Sequence, residues 1–169
     1  SRSMVEWTAD GKKNLFSEAN KTLGGIYVVS VDGKNCTEWT KGITDLIQGG
    51  TPNANGTHLT FILQNPSKFP EAYISPMNQY GPVQLTKLHD DKSAKALPKT
   101  EVIKWKGADG MMIEGLLTYP IGYQPGQKVP FILNIHGGPA GVFSQACVAG
   151  NGGAYPIAAF AEQGYAILR

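Results

Sequence analysis

Short hydrophobic runs separated by polar residues and turns fill the first half of the chain. Runs of this length, bounded by Gly, Pro, Asn and Asp, favour β-strands over helices. The predicted strands are Leu59–Gln64, Ala72–Ser75 and Val83–Thr86, with Thr44–Ile47 as a candidate innermost strand. Hairpin turns are predicted at Asp32-Gly33 and Asn55-Gly56, since Asp-Gly and Asn-Gly adopt the backbone conformations that tight turns need.

These strands belong to a weak internal repeat. The residues that correspond at an offset of 46 are Tyr27 and Tyr73, Thr40 and Thr86, and Phe16 and Ile62. The segment that begins at Thr8 also matches the one that begins at Thr51, with a slip of one or two residues. A period near 46 residues with several short strands is close to that of propeller blades. An ordinary antiparallel meander is the alternative, and a propeller would require further copies before Ser1, because two blades do not close a ring.

A second pattern begins at Glu101. Ile103 and Trp105 alternate with Val102 and lysines, which predicts an amphipathic strand. A turn at residues 107–110 and a further alternating run to Tyr119 complete a hairpin. The run Phe131–Ile135 is apolar except for one Asn, so we expect a strand that is buried on both faces, as in the middle of a parallel sheet.

The end of the chain predicts a strand–helix–strand unit. Tyr155–Gln163 has helical periodicity, with Pro156 in its first turn and Gly164 directly after its end. Tyr165–Leu168 is then a second apolar strand. Such a unit pairs parallel strands through a right-handed crossover.

A charged stretch without periodicity separates the two halves, between Leu88 and Thr100. It is typical of a connection between domains, so we divide the chain into residues 1–98 and 99–169. His89 stands beside two aspartates there. We expect a solvated loop at this place and not a metal or acid–base site.

The residues that point to chemistry are His136-Gly137-Gly138-Pro139, directly after the predicted buried strand. Two glycines leave backbone N–H groups free of side chains at the edge of the sheet where α/β proteins place their active sites. In α/β-hydrolases, a glycine-bearing loop at this position supplies one donor of the oxyanion hole.

Composition excludes several other classes of function. The net charge of +2 is too small to indicate a nucleic-acid partner, and no apolar run is long enough to span a membrane. Cys36 and Cys147 are far apart without a CxxC spacing or a histidine cluster, so we expect free thiols, no metal and no cofactor. The chain does not begin with Met, which is typical of a piece of a longer protein, and its localisation cannot be derived from the sequence.

Three segments resemble the prolyl oligopeptidase family of serine peptidases, in its acylaminoacyl-peptidase-like and dipeptidyl-peptidase-like branch. They are Glu101–Pro120 with its Asp-Gly turn, Val129–Pro139 with the His-Gly-Gly-Pro tetrapeptide, and Phe160–Leu168 with Gly-Tyr-Ala. The resemblance implies antiparallel β-propeller blades followed by the N-terminal part of an α/β-hydrolase domain, truncated at both ends of the chain. It also implies a serine-type peptidase that hydrolyses short peptides through an acyl-enzyme.

By the same resemblance, the backbone N–H of Gly138 binds the oxyanion, while Gly137 and His136 shape the loop and Pro139 fixes its exit. His136 is not the triad histidine, which lies near the C-terminus of the domain in this family. No Gly-x-Ser-x-Gly elbow is present, and Ser144 lacks that frame. We therefore expect that the chain contains none of the triad residues and is inactive alone.

Two alternatives stay open at this point: an esterase-like α/β-hydrolase, and a propeller-bearing binding protein with a vestigial hydrolase domain. The expected partner is a peptide substrate. The sequence leaves open a homo-oligomer of the full-length protein, and it does not distinguish proline-specific, dipeptidyl and acyl-peptide cleavage.

Overall fold

The computed structural model describes residues 2–90, 96–138, 141–150 and 155–169. Within these residues it contains three four-stranded sheets and one short helix. The strands of the first sheet are β1 (Arg2–Trp7), β2 (Lys13–Asn20), β3 (Leu23–Ser30) and β4 (Cys36–Glu38). Those of the second are β5 (Leu46–Pro52), β6 (His58–Asn65), β7 (Lys68–Pro76) and β8 (Val83–Gln84). The remaining elements are β9 (Thr100–Lys106), β10 (Met112–Thr118), β11 (Phe131–Leu133), α1 (Ile157–Glu162) and β12 (Ala166–Leu168).

The first two sheets are equivalent antiparallel meanders, with orders β1-β2-β3-β4 and β5-β6-β7-β8. In the first, the Ile26 N–H donates to Oγ1 of Thr40 at 3.0 Å. In the second, the Ala72 N–H donates to Oγ1 of Thr86 at 2.9 Å. The predicted correspondence of Thr40 with Thr86 is therefore present in the structure.

One pair of the predicted repeat is wrong by a residue, because the structural equivalent of Phe16 is Phe61 and not Ile62. Phe16 and Phe61 each pair with the tyrosine of the next strand, Tyr27 or Tyr73. The rings stack at centroid distances of 5.4 Å and 6.4 Å. The register of β6 against β7 shifts by one residue after the connecting turn, and this bulge displaces the second copy by one position.

The two sheets share one hydrophobic core. Its buried members are Leu15, Ile26, Ile47, Leu59, Phe61, Leu63 and Tyr73. Residues from both sheets contribute, so neither sheet buries its apolar face alone.

The third sheet has the order β11-β12-β10-β9. β9 and β10 form the predicted hairpin, while β11 and β12 are parallel and connected through α1, as the strand–helix–strand pattern predicts. After α1, Gly164 has φ +88°. The N–H groups of Gly164 and Tyr165 donate to the carbonyls of Ala161 and Phe160, the hydrogen-bond pattern of a Schellman motif.

The expectation of a strand buried on both faces at Phe131–Ile135 is wrong for the described residues. β11 ends at Leu133, and the side chains of Phe131, Leu133 and Ile135 are exposed. β11 is an edge strand of the described sheet. Only Ile132, on its other face, packs against the cluster formed by α1 and Ile167.

Candidate functional site

The glycine loop begins where β11 ends, at the carboxyl edge of the parallel pair. The Asn134 N–H donates to the carbonyl of Leu168 at 2.8 Å, which extends the pairing with β12 by one residue. Beyond it, His136, Gly137 and Gly138 are exposed. Parallel strands place their binding and catalytic loops at this edge.

Gly138 adopts φ +75°. This left-handed backbone is accessible to glycine without strain and unfavourable for residues that carry a Cβ. The space around its Cα is open, with no heavy atom within 4 Å of the position that a Cβ would occupy. Gly137 has the same free space but no positive φ, so the two glycines differ in what they contribute to the turn.

His136 packs against its own loop. Its Nδ1 lies 3.4 Å from the carbonyl oxygen of Gly137, and its ring meets that of Phe143 edge to face at 5.7 Å. A Cβ on Gly141 would come within 2.8 Å of both His136 Nδ1 and the Gly137 carbonyl. The loop is therefore folded closely on itself around His136. Pro139, predicted to fix its exit, lies outside the described residues.

Arg169 follows β12 at the same edge. Its Nε and Nη2 are buried and have no hydrogen-bond partner among the described residues. Its guanidinium carbon lies 5.6 Å from the centroid of the Phe143 ring, and burial lowers the pKa of the group. Phe143 thus contacts both His136 and a buried cation.

A second group of polar side chains lies at the end of the second sheet. Glu71 is buried and accepts hydrogen bonds from the Thr86 hydroxyl and from the His89 N–H. Nδ1 of His89 lies 3.0 Å from the same carboxylate, and the His89 ring stacks on Phe69 at 5.0 Å. Burial raises the pKa of Glu71, but the hydrogen bonds from Thr86, Leu88 and His89 outweigh it and bring the pKa to about 2.

The expectation of a solvated loop is therefore wrong for the His89 side chain, while Leu88 and Asp90 on either side of it are exposed. The repeat could have shown that Thr86 would bond inward like Thr40. Nothing local to His89 indicates its partner, however, because Glu71 is 18 residues away on β7. Asp91, the second of the neighbouring aspartates, lies outside the described residues.

The remaining candidate residues from the sequence are the two cysteines and Ser144. Cys36 is exposed and Cys147 is buried, and neither is in a disulfide. Ser144 is half-buried in the segment after the glycine loop. Among the described residues, no three His, Cys, Asp or Glu side chains are grouped so that they could hold a metal ion, and no helix has the length and apolarity needed to cross a membrane.

The chain is similar in sequence to a peptidase. Over 136 residues it is 27% identical to the uncharacterized peptidase YuxL of Bacillus subtilis, an alignment that covers 79% of this chain and 20% of that protein. The chain thus spans about a fifth of the length of this curated relative. No family model matches the chain.

Solved structures show the same fold. The acylaminoacyl peptidase of Pyrococcus horikoshii superposes with a TM-score of 0.72 at 20% identity, covering 99% of this chain and 24% of that one. A Bacteroides ovatus protein, assigned provisionally as a dipeptidyl aminopeptidase IV, gives 0.69 at 20% identity over 98% and 24%. The neighbours of this chain thus include proteins of the prolyl oligopeptidase family, and the resemblance predicted from the sequence is confirmed.

Proposed function

We propose that the chain is part of a serine-type peptidase of the prolyl oligopeptidase family. In this proposal residues 1–98 are the last blades of a β-propeller with a linker, and residues 99–169 begin the α/β-hydrolase domain. The substrate is a short peptide, cleaved through an acyl-enzyme. The observation that carries the proposal is the position of Gly138, exposed at φ +75° beyond the carboxyl end of β11.

The role proposed for Gly138 is to donate its backbone N–H to the oxyanion of the tetrahedral intermediate. The amide that follows the nucleophilic serine would be the second donor, and that serine is not among the residues of this chain. Loss of one oxyanion donor typically costs on the order of 3 kcal/mol of transition-state stabilisation. Gly137 and His136 would shape the loop, His136 through its contacts with Gly137 and Phe143.

Paired alanine substitutions test this role in the intact protein. Gly138→Ala places a Cβ on a residue with φ +75°, which disfavours the backbone conformation that aims the donor by about 1–2 kcal/mol. We expect kcat to fall about 10-fold for a peptide substrate. Gly137→Ala is the matched control, because its Cβ would enter open space at an ordinary φ. Equal effects of the two substitutions, or no effect of Gly138→Ala, would contradict the proposal.

A second experiment uses the chain alone. We expect no covalent labelling by a fluorophosphonate probe, since the sequence has no Gly-x-Ser-x-Gly elbow. Labelling at Ser144 or any other serine would refute this expectation.

The two equivalent sheets favour a peptidase over an esterase-like hydrolase, because esterases ordinarily lack such a repeat. Peptide turnover by the intact protein would also exclude a binding protein with a vestigial hydrolase domain.

A further inference from the structure

The segment that follows the glycine loop is hydrogen-bonded to both equivalent sheets. We name residues Gln145–Val148 the docking segment. It contacts the β2–β3 turn of the first sheet and the β6–β7 turn of the second, which are the corresponding turns of the two copies. Four backbone or side-chain donors of this short segment are used in these contacts.

At the first turn, Gln145 makes two hydrogen bonds to Thr22. Its N–H donates to the Thr22 carbonyl at 2.8 Å, and its Nε2 donates to the Thr22 hydroxyl at 2.9 Å. That hydroxyl donates its single proton to Oε1 of Glu114, at 2.6 Å. Gln145, Thr22 and Glu114 therefore form one directed chain of hydrogen bonds from the docking segment through the first sheet to β10.

This chain of hydrogen bonds is shielded from water. Thr22 is 4% exposed, and the side chain of Glu114 is largely buried with Lys104 at 3.5 Å from its second oxygen. Burial raises the pKa of Glu114, but the Thr22 hydrogen bonds and the Lys104 charge produce a net lowering. Removing a partner from a buried carboxylate is costly, because the charge is left without compensation.

Beside the second turn, the Cys147 N–H donates to Oε1 of Gln64, near the end of β6, at 2.9 Å. The Val148 N–H donates to the carbonyl of Pro66 at 3.4 Å. Cys147 and Val148 are each only 2% exposed. The docking segment is thus held at both of its ends.

The docking segment is close to the glycine loop along the chain and is connected to it by side-chain contacts. Phe143 lies two residues before Gln145 and packs against His136, whose Nδ1 approaches the Gly137 carbonyl. Gly138 is exposed and has open space around it. Phe143 thus links the chain just before the docking segment to the glycine loop through the His136 ring.

We infer that Gln145 is a positioning residue. By binding Thr22, it couples the contact between the first sheet and the third sheet to the conformation of the glycine loop. The inference rests on the proposed function of that loop. It implies that the Gly138 N–H is held in place only while the docking segment is bonded to the β2–β3 turn.

The test uses Gln145→Ala and Thr22→Val in the intact protein, with two readouts. Hydrogen exchange followed by mass spectrometry is expected to accelerate at least tenfold at Asn134, whose N–H is bonded to the Leu168 carbonyl. The same is expected in residues 141–148, where the N–H groups of Gln145, Cys147 and Val148 are hydrogen-bonded. For a peptide substrate, kcat is expected to fall about tenfold while KM changes less than twofold. Thr22→Ser keeps the hydroxyl and is expected to restore both readouts.

Ser67→Ala is the matched control, since Ser67 occupies the equivalent turn position in the second sheet with an exposed side chain. It is expected to change neither readout. Unchanged exchange at Asn134 and in residues 141–148 would overturn the inference, as would faster exchange there with an unchanged kcat. Hydrogen exchange can be measured without peptide turnover. An intact protein that cleaves no peptide would refute the proposed function, and the exchange result would then test by itself whether Gln145 holds the docking segment and the loop in place.

Discussion

Glu71 is expected to make the stability of the chain depend on pH in the acid range. Glu71 is 6% exposed. Its carboxylate is bonded to the Thr86 hydroxyl, to the backbone N–H of His89 and to Nδ1 of His89. Although burial raises the pKa, these hydrogen bonds lower it from 4.5 to about 2. The folded state therefore prefers the ionised form.

The direction and size of the effect follow from this difference. A carboxyl group with a lowered pKa in the folded state stabilises fully above its unfolded pKa, and the stabilisation is lost as the pH falls from 4.5 toward about 2. At 1.36 kcal/mol per pH unit, the whole contribution is about 3 kcal/mol. Linkage places about 2 kcal/mol of that loss between pH 7 and pH 3.

The assay is urea unfolding of the wild type and of Glu71→Gln at several pH values from 7 to 3. We expect the free energy of unfolding of the wild type to fall by about 2 kcal/mol more than that of the variant over this range. Glu162→Gln, at an exposed position of α1, is the control and is expected to follow the wild type. If the wild-type and Glu71→Gln curves fall in parallel, the assignment of the buried carboxylate is refuted.

Three further substitutions test the fold. Thr40→Val removes the acceptor of the Ile26 N–H at a fully buried position, and the free energy of unfolding in urea is expected to fall by about 1–3 kcal/mol. An unchanged free energy of unfolding would contradict the role of the hydrogen bond that Thr40 and Thr86 each make in their own sheet. Gly164→Ala, at φ +88°, is expected to cost about 1–2 kcal/mol and to lower the Tm. Ile167→Ala, which empties a fully buried site, is expected to cost about 2–5 kcal/mol, and the same truncation of exposed Leu133 should cost far less. Equal losses for these two would contradict the described core.

Much of the local structure could be predicted because its signals are local. The turns at Asp32-Gly33 and Asn55-Gly56 lie between paired strands, with φ +70° and +67° at the glycines. The correspondence of Thr40 with Thr86 also held, since a buried hydroxyl that accepts a backbone N–H tolerates few replacements. These features need only a few neighbouring residues to specify them.

Two of the three errors arise because burial and bonding depend on residues far along the chain. Hydrophobicity alone predicted burial for Leu133 and Ile135, but burial depends on which strands lie alongside, and in the part of the chain that the structure describes β11 pairs on one side only. The register of Phe16 with Ile62 failed because a bulge adds one residue that no composition signal marks. His89, in a turn, bonds to the carboxylate of Glu71 on β7.

The sequence by itself determined several of the strands, the hairpins, the strand–helix–strand order and the place of the glycine loop after β11. These follow from side-chain periodicity and from the conformational freedom of glycine, which are properties of short segments. Only the tertiary structure decided that the docking segment meets two equivalent turns, and that Gln145, Thr22 and Glu114 form one chain of hydrogen bonds. Gln145 is 123 residues from Thr22 along the chain, and contacts of that separation exist only when the whole fold brings their partners together.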